Sequence, residues 1–401
     1  MAATSESSDS VAIIDARQWQ NQFELRTGAK STADNAALRL LRRILADHPY
    51  PGDLDGGSNR WVTETALALV RGYHPGFVLL TYAEQYFATR IASLSGAEKK
   101  RIMAELRREV DSFLEQTGMT AVIIGRGGVM PTQGFIDISG LDGIGVSPHW
   151  SARYGGVHEP SEHDLAWLQS HPHIQRVVAR TAYQQLFAEP CPEPELLSDY
   201  LLVAEPGYAF KGLGCTMRKP AMVPLAAAEL PCFSPQPVTE LTGLRQVIDD
   251  GLQRGRPMAL IILEGVGEED FPWPYTPCAN TLDWFSYEPS DAQLLAITSG
   301  RHRLHEYPPG YLFHLRELKT NRYPLSGYFK ALPGGTIGDD YPGRSIAVGN
   351  KSMAMHMVAG ADLCIECFSR NHYNQGTLGV VHRPGKIHQL PGVKGSEQHE
   401  N

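Results

Sequence analysis

The sequence predicts an α/β protein: a mostly parallel sheet covered by helices on both faces, with a second α/β unit. Three observations lead there. Strand and helix signals alternate through the first part of the chain. The texture changes near residue 231, and the same alternation then restarts. The counts of Gly (39) and Pro (28) imply many loops, which suits an α/β protein better than a helical bundle.

The elements follow in order. "VAIID", Val11 to Asp15, reads as a short buried strand ending in a carboxylate. "TADNAALRLLRRILADH" reads as a helix capped by Thr32 or Asp34, with Leu38, Leu41 and Leu45 on one face. "WVTETALALV" is a second helix and "GFVLLTYA" a strand. "GAEKKRIMAELRREVDSFLEQTG" is the clearest helix. Ile102, Leu106, Val110, Phe113 and Leu114 form its apolar stripe, and Gly118 stops it. "TAVIIG" is the next strand. Strands separated by helices of this length imply parallel pairing. After the Gly- and Pro-rich stretch ending near residue 231, "VTELTGLRQVIDDGLQRG" reads as a helix and "MALIILEGVG" as a buried strand. "SIAVG" and "LCIECF" are strand-like, around a helix at "KSMAMHMVAGA". This stretch is either a separate α/β unit or the other half of the same sheet.

The expected organisation is therefore a disordered 1–10, an α/β domain over 11–230, a second unit over 231–390 and a disordered tail over 391–401. No apolar run reaches the ~18 residues of a membrane span. The first ten residues lack the basic-then-apolar plan of a secretory signal, so the expected compartment is the cytoplasm. Six cysteines in 401 residues read as reduced thiols. In "LCIEC", Cys364 and Cys367 fall on opposite faces of a strand, which argues against redox chemistry or shared zinc. The net charge of −8 argues against nucleic-acid and anionic-membrane binding.

From His74 to Pro224 the order of features resembles the alkaline phosphatase superfamily, nearest its nucleotide pyrophosphatase/phosphodiesterase and phosphonoacetate hydrolase-like branch. The resemblance is carried by "HPGFVLLTY", the helix ending "EVDSFLEQTG", the strand and turn "TAVIIGRGGVM", then "LSDYLLVAEPGYAFKG" and "MVPLAA". It implies an alkaline-phosphatase-like fold with a two-metal site. The positions that correspond to the family's metal ligands hold other residues here. Tyr86 and Arg90 stand where an Asp and a His are expected, and Arg126 and Gly127 stand where the Asp-His-Gly-Met turn has its ligands. "CTMRKP" has no late His. The usual two-metal site thus reads as lost, with Arg90 and Arg126 standing in as an anion-binding pair. Each arginine also reads as a salt-bridge residue at a strand end. Asp15 corresponds to the family's first metal Asp, or caps a loop.

The second half holds further candidates. "ALIILEGVGEEDFPWPYTPCANTLDWF" puts Glu264, Glu268, Glu269, Asp270, Thr276 and Cys278 near the carboxyl rim of a strand, where α/β proteins bind ligands. The stretch also resembles the superfamily's opening segment, in permuted order, which implies Thr276 as nucleophile with Asn280 close behind; a Pro-rich loop shaped by turn chemistry explains the same letters. Glu264 or His302 is the candidate general base. His302 and His305 are three apart in "GRHRLHEYPPG", and solvated loop residues explain them equally. Asp339 and Asp340 are candidate ligands for a divalent cation, or turn caps. The cofactor stays open between that cation and none.

Three functions are compatible with these residues. The first is an alkaline-phosphatase-like protein with a degenerate metal site that binds, and if catalytic hydrolyses, a small phosphorylated or anionic molecule. The second is a non-catalytic binding or partner subunit on the same scaffold, with a protein partner or homo-oligomer. The third is an unrelated α/β hydrolase or transferase with its site at the 264–280 loop.

Overall fold

In the computed structural model, residues 12–16, 22–24, 34–53, 55–91, 94–138, 140–148, 153–187, 197–211, 221–302, 335–350, 361–367 and 378–381 are described. Among them the main feature is a nine-stranded sheet. Its order is Thr276–Ala279, Glu229–Phe233, Thr120–Gly125, Met258–Leu263, Phe77–Tyr82, Ser345–Gly349, Leu363–Glu366, Ala12–Asp15 and Gln22–Glu24. The six strands from Thr120–Gly125 to Ala12–Asp15 run parallel, and antiparallel strands flank them on both sides.

The apolar runs read as buried strands because both of their faces are covered. Phe77, Leu79, Val122, Ile124, Leu260 and Ile262 pack on one face with the helices Gly243–Gln253 and Asp291–Ser299. Val78, Leu80, Ile123, Ile261 and Leu263 pack on the other with the helices Ala36–Asp47, Ser58–Tyr73 and Gly96–Thr117. The period of two sorts each strand between two cores. Cys364 and Cys367 fall in different cores, on opposite sides of the sheet. Both are buried, as are Cys232 and Cys278.

The expected boundary near residue 231 falls inside the strand Glu229–Phe233. Strands from before and after it interleave in one sheet, so the second stretch completes the sheet of the first and is not a separate α/β unit. The physical reason is edge pairing. Phe77–Tyr82 has Met258–Leu263 on one side and Ser345–Gly349 on the other, and without them its backbone groups would be buried unpaired.

A separate layer does form, from an unexpected place. Leu378–Val381, Ile144–Pro148, Tyr154–His158, Tyr200–Ala204 and Ile174–Ala179 make a five-stranded antiparallel sheet in that order. This lobe has its own core of Val157, Leu168, Ile174, Leu202 and Phe210. The expected disordered ends, 1–10 and 391–401, and the expected helix over 351–360 lie outside the described residues.

Helix ends follow local chemistry. Ser95 and Glu98 form a capping box at the start of Gly96–Thr117, and Gly118 closes it in the left-handed region at φ 66°. Ser95→Ala is expected to cost about 1 kcal/mol in urea unfolding, and an unchanged midpoint would refute the cap. Asn35, and not Thr32 or Asp34, caps Ala36–Asp47, accepting from the Leu38 amide at 2.9 Å. A cap must directly precede the first helical residue. Asp34 sits one residue too early and pairs instead with Arg39 and Arg42.

Candidate functional site

Ligand sites in open α/β sheets lie beyond the carboxyl ends of the strands. Here those ends deliver a buried polar cluster. Residues Ala83 to Gln85 follow Phe77–Tyr82, Arg126 follows Thr120–Gly125, Glu264 follows Met258–Leu263 and Asn350 follows Ser345–Gly349. Glu84, Gln85, Arg126, Glu264 and Asn350 are all buried, with Asn59 among them.

The cluster has two parts. In the first, the helix Ser58–Tyr73 begins at Gly57, which offers no side-chain cap. Glu84 supplies it from a distance. Its Oε2 accepts from the amides of Gly57 at 3.2 Å and Asn59 at 3.0 Å. A carboxylate at a helix start meets unpaired amides and the positive end of the dipole. Asn350 joins this corner by accepting from the Ala83 amide at 2.7 Å and donating to Ser58 Oγ and Asn59 Oδ1, each at 3.1 Å. Glu84→Ala should lower unfolding free energy by about 2 kcal/mol, since it removes bonds to a charged acceptor. A change of less than about 0.5 kcal/mol would show the helix start to be capped another way.

The second part centres on Arg126. Its Nη1 pairs with Glu264 Oε1, and both side chains are fully buried. Its Nε donates to Gln293 Oε1 at 2.7 Å, and its Nη2 donates to the Ser290 carbonyl. Gln293 in turn donates to Asn280 Oδ1 at 3.1 Å. The Asn280 amide donates to the carbonyls of Ala227 at 2.9 Å and Tyr287 at 2.8 Å. Gly265 makes the turn after Glu264 at φ 69°, and a Cβ there would lie 3.1–3.2 Å from Tyr86.

Both Arg126 and Asn280 therefore grip the backbone of one segment, Tyr287 to Ser290, from either side of Glu288. Pro289 restricts Glu288 to extended backbone, and Ser290 sits at the N-cap of Asp291–Ser299. Glu288 is buried, and burial pushes its carboxyl up to about 7. Bonds from the backbone of Arg153 and Tyr154, together with the charges of Arg153 and Arg90, oppose that rise. The Arg153 amide donates to Glu288 Oε1 at 2.7 Å.

Glu288 and Arg153 line a cleft where the lobe meets the carboxyl edge, with Met130, Tyr208, Val223 and Leu225 as further walls. Two Arg153 nitrogens are held there, Nε by the Ala204 carbonyl at 3.1 Å and Nη2 by Gln175 at 2.7 Å. Arg90 lies on the helix Glu84–Ile91, buried, with its Nη1 donating to Tyr86 Oη and its guanidinium 5.3 Å from the Tyr86 ring centre.

Compared with known proteins, this chain matches no family model, no curated protein and no solved structure. The resemblance to alkaline phosphatases accordingly rests on the order and spacing of motifs.

The site residues expected from the sequence divide into those the fold gathers and those it separates. Arg126, Glu264 and Asn280 belong to one network, and Arg90 acts on Glu288 at its margin. Arg126 and Glu264 neutralise one another, which leaves neither as a solvent-facing anion binder or base. Thr276 is not beside Glu264. It pairs with Cys232, Cys232 with Ile124, and Ile124 with Ile262. Three strand spacings of ~4.8 Å place it about 14 Å away. His302 Nε2 donates to Glu240 Oε1 at 2.8 Å, and its ring stacks on Tyr287. That bond holds Glu240 below the usual carboxylate range. His302 follows the end of the nine-residue helix Asp291–Ser299, while Gln293 lies in its first turn. Those ends are about 13 Å apart.

The loop after Glu264 is tied to the helix Gly96–Thr117. Asp270 meets Lys99 at 2.6 Å, and Trp273 Nε1 donates to Asp111 at 3.0 Å. Asp340 pairs with Arg245, and Asp339 adjoins it in the short helix Ile337–Asp340. Asp15 ends its strand in register with Glu366. His305 and "CTMRKP" lie outside the described residues. Among the described residues no three His, Cys, Asp or Glu side chains converge in the manner of a metal site, and no helix is long and apolar enough to cross a membrane.

Sequence reading missed Glu288 and Arg153. The available signal at Glu288 was an acid directly before a proline and a helix cap, in "SYEPSD". Nothing local distinguishes that acid from the other carboxylates. Its burial comes from the lobe, which folds over it from residues more than a hundred positions earlier in the chain.

Proposed function

We propose that this protein binds a small phosphorylated or otherwise anionic molecule in the cleft between the carboxyl edge and the lobe, with Glu288 as the group that exchanges a proton with it. One observation carries this reading: a buried carboxyl lies in that cleft with Arg153 beside it, and the charges of Arg153 and Arg90 both act on it. A carboxyl titrating near neutrality serves as acid or base, and arginine suits phosphate and carboxylate. If water attacks phosphorus as the ester P–O bond breaks, Glu288 gives its proton to the leaving oxygen and regains one from the attacking water, and the reaction is hydrolysis of a phosphoester-type bond. The alkaline-phosphatase-like ancestry is part of this proposal, supported by the motif order and by the α/β sheet.

The test is calorimetric titration of the intact protein with inorganic phosphate and a phosphomonoester, followed by turnover assays on phosphomonoester and phosphodiester substrates. Arg90→Ala should weaken phosphate binding by about 1.5–3 kcal/mol, the scale of a charge-assisted bond. Unaltered affinity would remove Arg90 from the site. Binding without turnover would favour a binding subunit on the same scaffold.

A further inference from the structure

Besides Arg153 and Glu288, the cleft is lined largely by apolar groups. Met130, Val223, Pro224 and Leu225 form its walls together with Tyr208. Two short strand pairs set them in place. Met222–Pro224 pairs with Val129–Pro131, and Tyr208–Phe210 pairs with Gly134–Ile136. Leu225 is 41% exposed, one of two large apolar side chains so exposed among the described residues. Val223 is already buried, but a bare phosphate or short carboxylate would leave Leu225 and the partly exposed Met130, Pro224 and Tyr208 in water.

Tyr208 is also held rigidly. Its ring lies 3.9 Å from the His173 ring at 10°, a stacked pair. His173 meets His171, and His171 meets Trp167 at 4.8 Å. The row of rings runs back to the helix Glu162–Ser170, so the cleft wall is braced by the lobe. A braced aromatic wall loses little freedom on binding and favours flat apolar partners.

We infer that the molecule held in this cleft carries an aromatic ring beside its anionic group, the ring against Tyr208 and Leu225 and the anion toward Arg153. This inference rests on the anion-binding reading above and adds the substrate class.

The experiment is calorimetric titration of the full chain with three probes: methyl phosphate, phenyl phosphate and benzyl alcohol. Phenyl phosphate should bind about tenfold tighter than methyl phosphate, the effect of partly burying a ring. Leu225→Ser, at the exposed rim, should shrink that ratio. Tyr208→Phe should preserve the ratio, since the ring stays. Equal affinity for the two phosphates would overturn the aromatic assignment and leave the anion site standing. Binding of benzyl alcohol with neither phosphate bound would overturn the anion site, and this inference with it.

Discussion

Arg126→Ala should destabilise the protein by about 3–5 kcal/mol, the largest effect expected of any single change in the buried polar cluster. The reason is the pair it breaks. The Arg126 and Glu264 side chains are both fully buried, so removing the guanidinium leaves a carboxylate with no compensating charge in a dry setting. Glu264→Ala should cost a similar amount by stranding the arginine. A double change to apolar residues of similar volume, Arg126→Met with Glu264→Leu, should cost less than either single change, because no charge is then left behind. Urea unfolding of the four proteins measures this as a double-mutant cycle. Single-change losses below about 1 kcal/mol would mean that the pair is not water-excluded. The sequence left Arg126 open between an anion binder and a salt-bridge residue at a strand end. The fold makes it the second, and a positioning residue as well, because its Nη2 also holds the Ser290 carbonyl beside Glu288.

Glu288→Gln should change how stability depends on pH. The folded carboxyl is raised from 4.5 to about 7, chiefly by burial. Between those values the folded protein keeps a proton that the unfolded chain has released. Stability therefore falls as pH rises from about 4.5 to 7 and is level above that. At about 1.4 kcal/mol per unit, the loss amounts to about 3 kcal/mol. Gln keeps the shape and cannot ionise, so this slope should vanish in Glu288→Gln. Unfolding curves from pH 5 to 8 give the comparison, and parallel curves for the two proteins would place the titration elsewhere. If the protein turns over a phosphoester, the same variant should also lose about 10²–10⁴ in kcat, the range for a general acid or base.

Much of the fold was legible because it depends on short-range rules. The unbroken apolar runs in "FVLLTY" and "MALIIL" mark strands covered on both sides, and the stripe from Ile102 to Phe113 with Gly118 at its end marks a helix. The restart after residue 231 was also correct as a pattern. Its partnership stayed open in the sequence, since the choice between a new sheet and an old one depends on which edges remain unpaired. The candidate site was legible in part. Arg126, Glu264 and Asn280 stood out as polar residues at strand ends or in a Pro-rich loop. Which of the two readings of Arg126 applies was not legible, because a charge at a strand end looks the same in sequence whether it faces solvent or an opposite charge from a neighbouring strand.

The sequence by itself determined the α/β class, the main helices and strands, and the gathering of polar residues at the carboxyl edge. These follow from periodicity, capping and chain direction, which act over a few residues. Only the tertiary structure decided that both halves share one sheet, that Arg126 meets Glu264 across 138 positions, and that a lobe from residues 144–204 closes over Glu288. Those outcomes depend on burial and on long-range pairing, and burial is what separates a solvated carboxylate from one that titrates near neutrality.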